Sequence, residues 1–145
     1  MGISLVAALA ACTKETPPTI ANLDLKATQN INHDDTGRPS PVVVRVYELT
    51  GPIAFSGADF LQMYRQDTTA LAADLRSRHE VTLMPGENKT LVLEFKPDSR
   101  GIGVMALYRN YETAIWRAYA AVPPAQTTNL TAQVGEKSIT LSTGH

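Results

Sequence analysis

The chain has 145 residues and a mass of 15.7 kDa, which fits one domain able to bury roughly two-thirds of its unfolded surface without staples. Thirteen Lys and Arg against fourteen Asp and Glu leave a net charge of −1, so the basic face that nucleic-acid binding requires is missing. Hydrophobic residues at 43% exclude a disordered chain, and aromatics at 6% are too sparse for a platform on which bases or sugars stack.

The first twelve residues carry no charge and are apolar or small. They are too few to cross a bilayer, which takes about 20 apolar residues. They read as the apolar end of a signal peptide running into its cleavage site. Leu9-Ala10-Ala11-Cys12 resembles the lipobox of bacterial lipoproteins. That resemblance implies cleavage before Cys12 and acylation of its thiol and new N-terminus. The charged leader usual in such signals is missing, so residues 1–11 are expected to be the remnant of a longer one. As a bare residue Cys12 would be a small buried hydrophobe. Its position, its flanks and its being the single cysteine favour acylation. With no other cysteine there is no disulfide framework, zinc cluster or thiol redox pair. Several acyl chains hold far better than one myristoyl chain, which binds reversibly at about 0.8 kcal/mol per CH₂. Thr13, rather than Asp, follows the cysteine, and in this class that implies sorting to the outer membrane, facing the periplasm.

Residues 12–19, with Pro17-Pro18, read as a lipidated N-terminus and a short extended tether to a domain at 20–145. Leu23, Leu25 and Ala27 alternate with Asn22, Asp24 and Lys26, the period of a half-buried strand. A polar, turn-rich stretch from Asn30 to Ser40 follows, closed by Pro41 and long for a connection between strands. Val42 to Leu49 is a β-branched strand with Val42, Val44 and Val46 on one face. From Phe55 to Arg76 the period lengthens, and spacing predicts two short helices at roughly 57–65 and 68–76, with Asp67-Thr68 as an N-cap. Strands are predicted at 79–84, broken by Pro85-Gly86, and around Leu91, Leu93 and Phe95. The nearly continuous apolar run Ile102 to Tyr108 suggests a central strand. Further strands are expected at 115–119, at Leu130 to Val134, and from Ile139. Seven or eight short strands with one two-helix insertion describe a mostly β protein, a β-sandwich.

Chemistry is hard to build from these residues. His33-Asp34-Asp35 is a conceivable set of metal ligands, but in a polar loop it reads as a solvated turn, so no metal is expected. His79-Glu80 reads as surface polarity on a strand. There is no Gly-x-Ser-x-Gly elbow, and Gly101-Ile-Gly103 lacks the third glycine and the following helix of a dinucleotide loop. Asn88-Lys-Thr90 and Asn129-Leu-Thr131 match a glycosylation sequon, which is incidental behind a bacterial signal. No catalytic residues, cofactor or small-molecule substrate are expected.

Val44-Arg-Val-Tyr-Glu-Leu49, then Phe55 and Ala58-Asp-Phe-Leu61, the Pro85-Gly86 turn, and Gly101 to Arg109 with Trp116-Arg117 form an ordered set behind the lipobox. This order, covering about residues 9–142, resembles the TssJ family, outer-membrane lipoproteins of the bacterial type VI secretion system. The resemblance implies a transthyretin-like β-sandwich with an added helical segment and no catalysis. It implies binding to the periplasmic region of TssM, with TssL in the same membrane complex. The family's main contact element is the loop between the first two strands, here about 30–41. It makes Asn32, His33, Asp34, Asp35, Gly37, Arg38 and Pro39 the partner-binding candidates, Gly37 and Pro39 by shaping the loop. Arg38 leads, arginine being the side chain enriched at interface hot spots. Trp116 is expected to be a core anchor, and Arg109 and Arg117 surface charges or sheet supports paired with a carboxylate. Two other readings compete. One is a pilot lipoprotein of a different envelope machine. The other is a hydroxyisourate hydrolase of transthyretin-like fold, which fails because the chain ends Leu-Ser-Thr-Gly-His145 without that family's terminal Tyr-Arg-Gly-Ser.

Overall fold

The computed structural model describes Gly2 and residues 14–144, and Cys12 with the rest of the signal lies outside them. Among the described residues there are eight strands in two four-stranded sheets. One sheet has the order β4-β1-β7-β8, from Asn88–Phe95, Thr19–Ala27, Thr127–Val134 and Ile139–Thr143. The other is β3-β2-β5-β6, from Leu75–Leu83, Val42–Leu49, Gly101–Ala106 and Arg117–Ala121. All pairs are antiparallel except β1 with β7, in register from Ile20 opposite Thr127 to Ala27 opposite Val134. The predicted strands are all present, and the run from Ile102 is central as expected. Strand β1 begins at Thr19, one residue before the expected domain boundary.

The sheets face each other through the alternate residues the period-2 pattern marks. Ala21, Leu23 and Leu25 of β1 meet Val42, Val44 and Val46 of β2, Ile102 and Val104 of β5, and Leu130 and Ala132 of β7. Each Val, Leu or Ile side chain so buried is worth about 1.5–3 kcal/mol.

Strand β2 is buried on its other face as well, where Arg45, Tyr47 and Leu49 are covered by the insertion between β2 and β3. The insertion differs from the spacing-based expectation. It holds a short helix α1 (Ile53–Gly57), a longer helix α2 (Phe60–Leu71) and a 3₁₀ turn (Ala72–Asp74), and 75–76 already belong to β3. Asp59 sets the start of α2. Its carboxylate accepts from the Gln62 amide at 2.8 Å while the Gln62 side chain accepts from the Asp59 amide at 3.0 Å, a capping box readable in the sequence. The break expected near 66 is a kink at Gln66, where φ is −144° and ψ 49°.

Arg45 fills the kink. Its Nη1 donates to the Met63 and Tyr64 carbonyls at 3.0 and 3.1 Å, and its Nε to Glu80 at 3.1 Å. Asp67, the expected N-cap, is buried and turns one oxygen to Tyr47 Oη (3.0 Å), Arg78 (3.1 Å) and Arg45 (3.4 Å). Its other oxygen does accept from the Thr68 amide. Arg117 supports the helices through carbonyls of Phe55 and Ala58, not through a carboxylate, and lies 4.4 Å above the Trp116 ring. Trp116 is half-buried, touches both apolar clusters and meets Phe60 edge-on at 5.3 Å. Arg109 is exposed.

The glycines of Gly101-Ile-Gly103 are space-makers in β5. A Cβ at Gly103 would sit 2.9–3.0 Å from the Phe55 ring, and one at Gly101 about 2.0 Å from Tyr119 Oη. Since Phe55 is fully packed, Gly103→Ala should destabilise the fold by about 1–3 kcal/mol in urea titration. Gly51→Ala, with nothing within 4 Å, should leave stability unchanged. Equal stability of both variants would show that α1 lifts off the sheet without cost.

Candidate partner-binding end

Every connection that crosses between sheets joins matching ends, which gives the sandwich two poles. Residues 28–41, 84–87, 107–116 and 135–138 gather at one pole, where Ala27, Val42, Leu83, Ala106 and Val134 end or begin their strands. The chain enters at the other, at Thr19.

The long loop is pinned at its base. Ile31 is fully buried, and the Ser40 amide donates to its carbonyl at 3.0 Å. Asn32 is buried with φ at 46°, a left-handed conformation that Asn tolerates better than most residues. Its Nδ2 donates to the Pro41 carbonyl, and its Oδ1 accepts from the Arg109 amide, both at 2.8 Å. One side chain therefore ties together the two ends of its own loop and the segment after β5.

Asp34 shapes the tip. One carboxylate oxygen accepts from Thr36 Oγ1 (2.7 Å), the Thr36 amide (2.9 Å) and the Arg38 amide (3.0 Å). The Thr36 hydroxyl and the Arg38 amide chiefly hold the Asp34 pKa down, from 3.8 to about 2. The Gly37 amide donates to the Asp34 carbonyl at 2.9 Å, and Gly37 has φ +79°, so a side chain there would be strained. Asp35, Gly37, Arg38 and Pro39 are exposed. Arg38 has a side chain 78% accessible and spends only Nε internally, on Thr36 Oγ1 at 3.0 Å and Asp34 at 3.4 Å. The polar groups left at the tip for a partner are thus the Asp35 carboxylate and the forked end of Arg38, while Asn32 and Asp34 serve the loop itself.

His33 turns sideways rather than outward. Its Nδ1 lies 3.3 Å from Glu136, and its Nε2 is buried without a hydrogen-bond partner. It lines a recess of about 220 Å³ with Asn32, Tyr108, Asn110, Glu136 and Lys137. Tyr108 is buried there, its hydroxyl donating to the Gly135 carbonyl at 2.9 Å. Sequence reasoning missed Glu136 and Tyr108 as neighbours of His33, since both lie more than 70 residues from it with no local signal. Among the described residues no group of three His, Cys, Asp or Glu is placed to hold a metal.

The depressed Asp34 carboxyl favours the closed loop at pH above its ordinary 3.8, and that contribution is lost as pH falls through about 2. The Thr36 and Arg38 amide proton shifts should therefore titrate with a midpoint near pH 2 in NMR spectra. A midpoint near 3.8 would show that the Asp34 turn is not formed in solution.

Residues 19–137 match the family model described as "Type VI secretion lipoprotein, VasD, EvfM, TssJ". The T6SS lipoprotein TssJ1 of Pseudomonas aeruginosa superposes with a TM-score of 0.84 at 30% identity, over 89% of this chain and 98% of that one. Serratia marcescens Lip, a membrane-bound component of the type VI secretion system, gives 0.79 at 24% identity, over 88% and 97%. A chain in a structure described as "T6SS protein TssM C-terminal domain (869-1107) from EAEC" gives 0.71 at 23% identity, over 86% and 98%. No curated protein matches the sequence. With the family model covering most of its length, the chain belongs to the TssJ family of type VI secretion lipoproteins.

Proposed function

We propose that the chain is a non-catalytic subunit that anchors the type VI secretion membrane complex to the outer membrane. In this reading Cys12 carries the lipid, residues 12–19 are the tether, and the domain faces the periplasm. It binds the periplasmic region of TssM, with TssL in the same complex.

The observation that carries the reading is the pre-shaped loop at the pole opposite the chain's entry. Its base is fixed by Ile31 and Asn32, its turn by Asp34, and Asp35 and Arg38 stand free at the tip. A loop already closed in its own hydrogen bonds loses little entropy when a partner docks. A chain of this fold, at 23% identity, occurs in the structure described as the TssM C-terminal domain. Another chain of this fold, at 24% identity, occurs in a structure described as a type VI membrane complex.

The test is affinity of residues 14–145 for the periplasmic region of the cognate TssM, before and after replacing 34–39 by Gly and Ser. Keeping Ile31 and Asn32 preserves the loop's anchors. A loss of at least about 100-fold, near 2.7 kcal/mol, is expected with an unchanged melting temperature. Full affinity in the replaced protein would move the interface off the loop. In the full chain, Cys12→Ser should shift the protein from the membrane pellet to the soluble fraction. Its retention with the membrane would refute the acyl anchor.

A further inference from the structure

The pole where the chain enters has its own surface chemistry. Three turns form it, 50–53, 96–100 and 122–126, beside Thr19. Pro52, Ile53, Pro97, Pro123 and Pro124 are exposed there, and Ile53 is 84% accessible, the most exposed large hydrophobic side chain among the described residues. Lys96 and Arg100 stand among them, also exposed. Of the carboxylates beside them, Asp98 is held by Arg76 at 2.7 Å and Asp74 accepts from the Thr50 hydroxyl at 2.8 Å, while Glu94 is exposed near the end of β4. The opposite pole is the richer in carboxylates. Its turns contain Asp34, Asp35, Glu87, Glu112 and Glu136 against Arg38, Arg109 and Lys137. A phosphate-rich surface would repel the second pole more than the first, where Lys96 and Arg100 are exposed.

Tether length adds a geometric limit. Seven residues from Cys12 to Thr19 reach at most about 25 Å when fully extended. Nine residues of β1 separate the poles by roughly 30 Å. An anchor on Cys12 therefore excludes only an upright sandwich standing on its loop, and surface contacts decide which pole faces the lipid among the tilted poses. It also holds the domain at high local concentration over the surface, so contacts too weak to bind a free protein suffice to orient a tethered one.

We propose that the entry pole is a lipid-headgroup contact surface, with Lys96 and Arg100 over phosphates and Ile53 and Pro123-Pro124 in the interfacial layer. This rests on acylation at Cys12, proposed above. The sandwich then stands on the membrane and holds the 28–41 loop roughly a strand's length away from it, facing the periplasm.

Because acylation consumes the single native cysteine, labelling sites can be placed one at a time. Ile53→Cys, Pro123→Cys and Thr36→Cys, each in the lipidated full chain, would carry an environment-sensitive dye. Each is reconstituted in vesicles of phosphatidylethanolamine and phosphatidylglycerol containing a headgroup-spin-labelled quencher lipid. All three sites are exposed, so the labels leave the core intact. Quenching several-fold stronger at 53 and 123 than at 36 is expected, and Lys96→Glu with Arg100→Glu should erase that difference. Equal quenching at the three sites, or stronger quenching at 36, would overturn the orientation while leaving the anchor standing. Protein that washes off the vesicles altogether would refute the acyl anchor, and the orientation with it.

Discussion

The Arg45 guanidinium is the point on which the upper layer of this fold depends. It sits on the outer face of a central strand, 9% accessible, between sheet and helix. A charge so placed must be fully engaged, because a buried cation without partners costs several kcal/mol. The chain engages it with two helix carbonyls and two carboxylates, and the carbonyls are free only because α2 kinks at Gln66. Asp67, just past the kink, then bridges Arg45, Tyr47 and Arg78, so β2, β3 and α2 share one set of charges. Arg117 acts similarly at the other end of the insertion, on the carbonyls that close α1. Burial without an anion draws its pKa down, and the Trp116 face supplies part of what a carboxylate would. The helices are thus held by cations reaching up from the sheet as well as by the apolar contacts of Phe55, Met63 and Leu71.

A second buried charge ties the entry pole. Glu48 is 3% accessible and has no cation within salt-bridge distance among the described residues. It accepts instead from Ser77 Oγ at 2.6 Å, the Lys96 amide at 2.6 Å and Ser99 Oγ at 2.5 Å. A carboxylate satisfied by three donors can stay buried where an unpartnered one could not. Its partners belong to β3 and to the turn that carries the chain from one sheet to the other. One side chain thereby joins both sheets and shapes the 96–100 turn.

These charges also explain which features the sequence disclosed. Strand β1 shows clean alternation because its outer face is open to water, and β5 shows an unbroken apolar run because both its faces are covered. For β2 the alternation of Val42, Val44 and Val46 was legible, but the burial of Arg45, Tyr47 and Glu48 was not. Arg45 and Glu48 find partners 18 to 51 residues away, and periodicity holds no information about such pairs. The start of α2 was legible in Asp59 and Gln62, whereas apolar spacing alone placed it three residues early. At the loop, length and polarity marked the segment, and the Asp34-Thr36-Gly37 turn is local chemistry. That Asn32 would face inward was not legible, because its partner is the amide of Arg109.

The division between anchored base and free tip bears on how such a loop can recognise anything. A loop held only by its own tip would sample many shapes, and a partner would have to select one of them at an entropic cost. A loop bonded throughout would have no groups left to offer. Here the base is fixed by one buried asparagine and one buried isoleucine, and the turn closes on a carboxylate that stays ionised across the physiological range. The tip can then vary at Asp35, Arg38 and Pro39 without disturbing the sandwich, since none of these side chains touches its core. Recognition and stability are separated residue by residue. A scaffold so arranged can change its partner's contact surface by exchanging a few exposed side chains while Asn32, Asp34 and Gly37 keep the backbone in place.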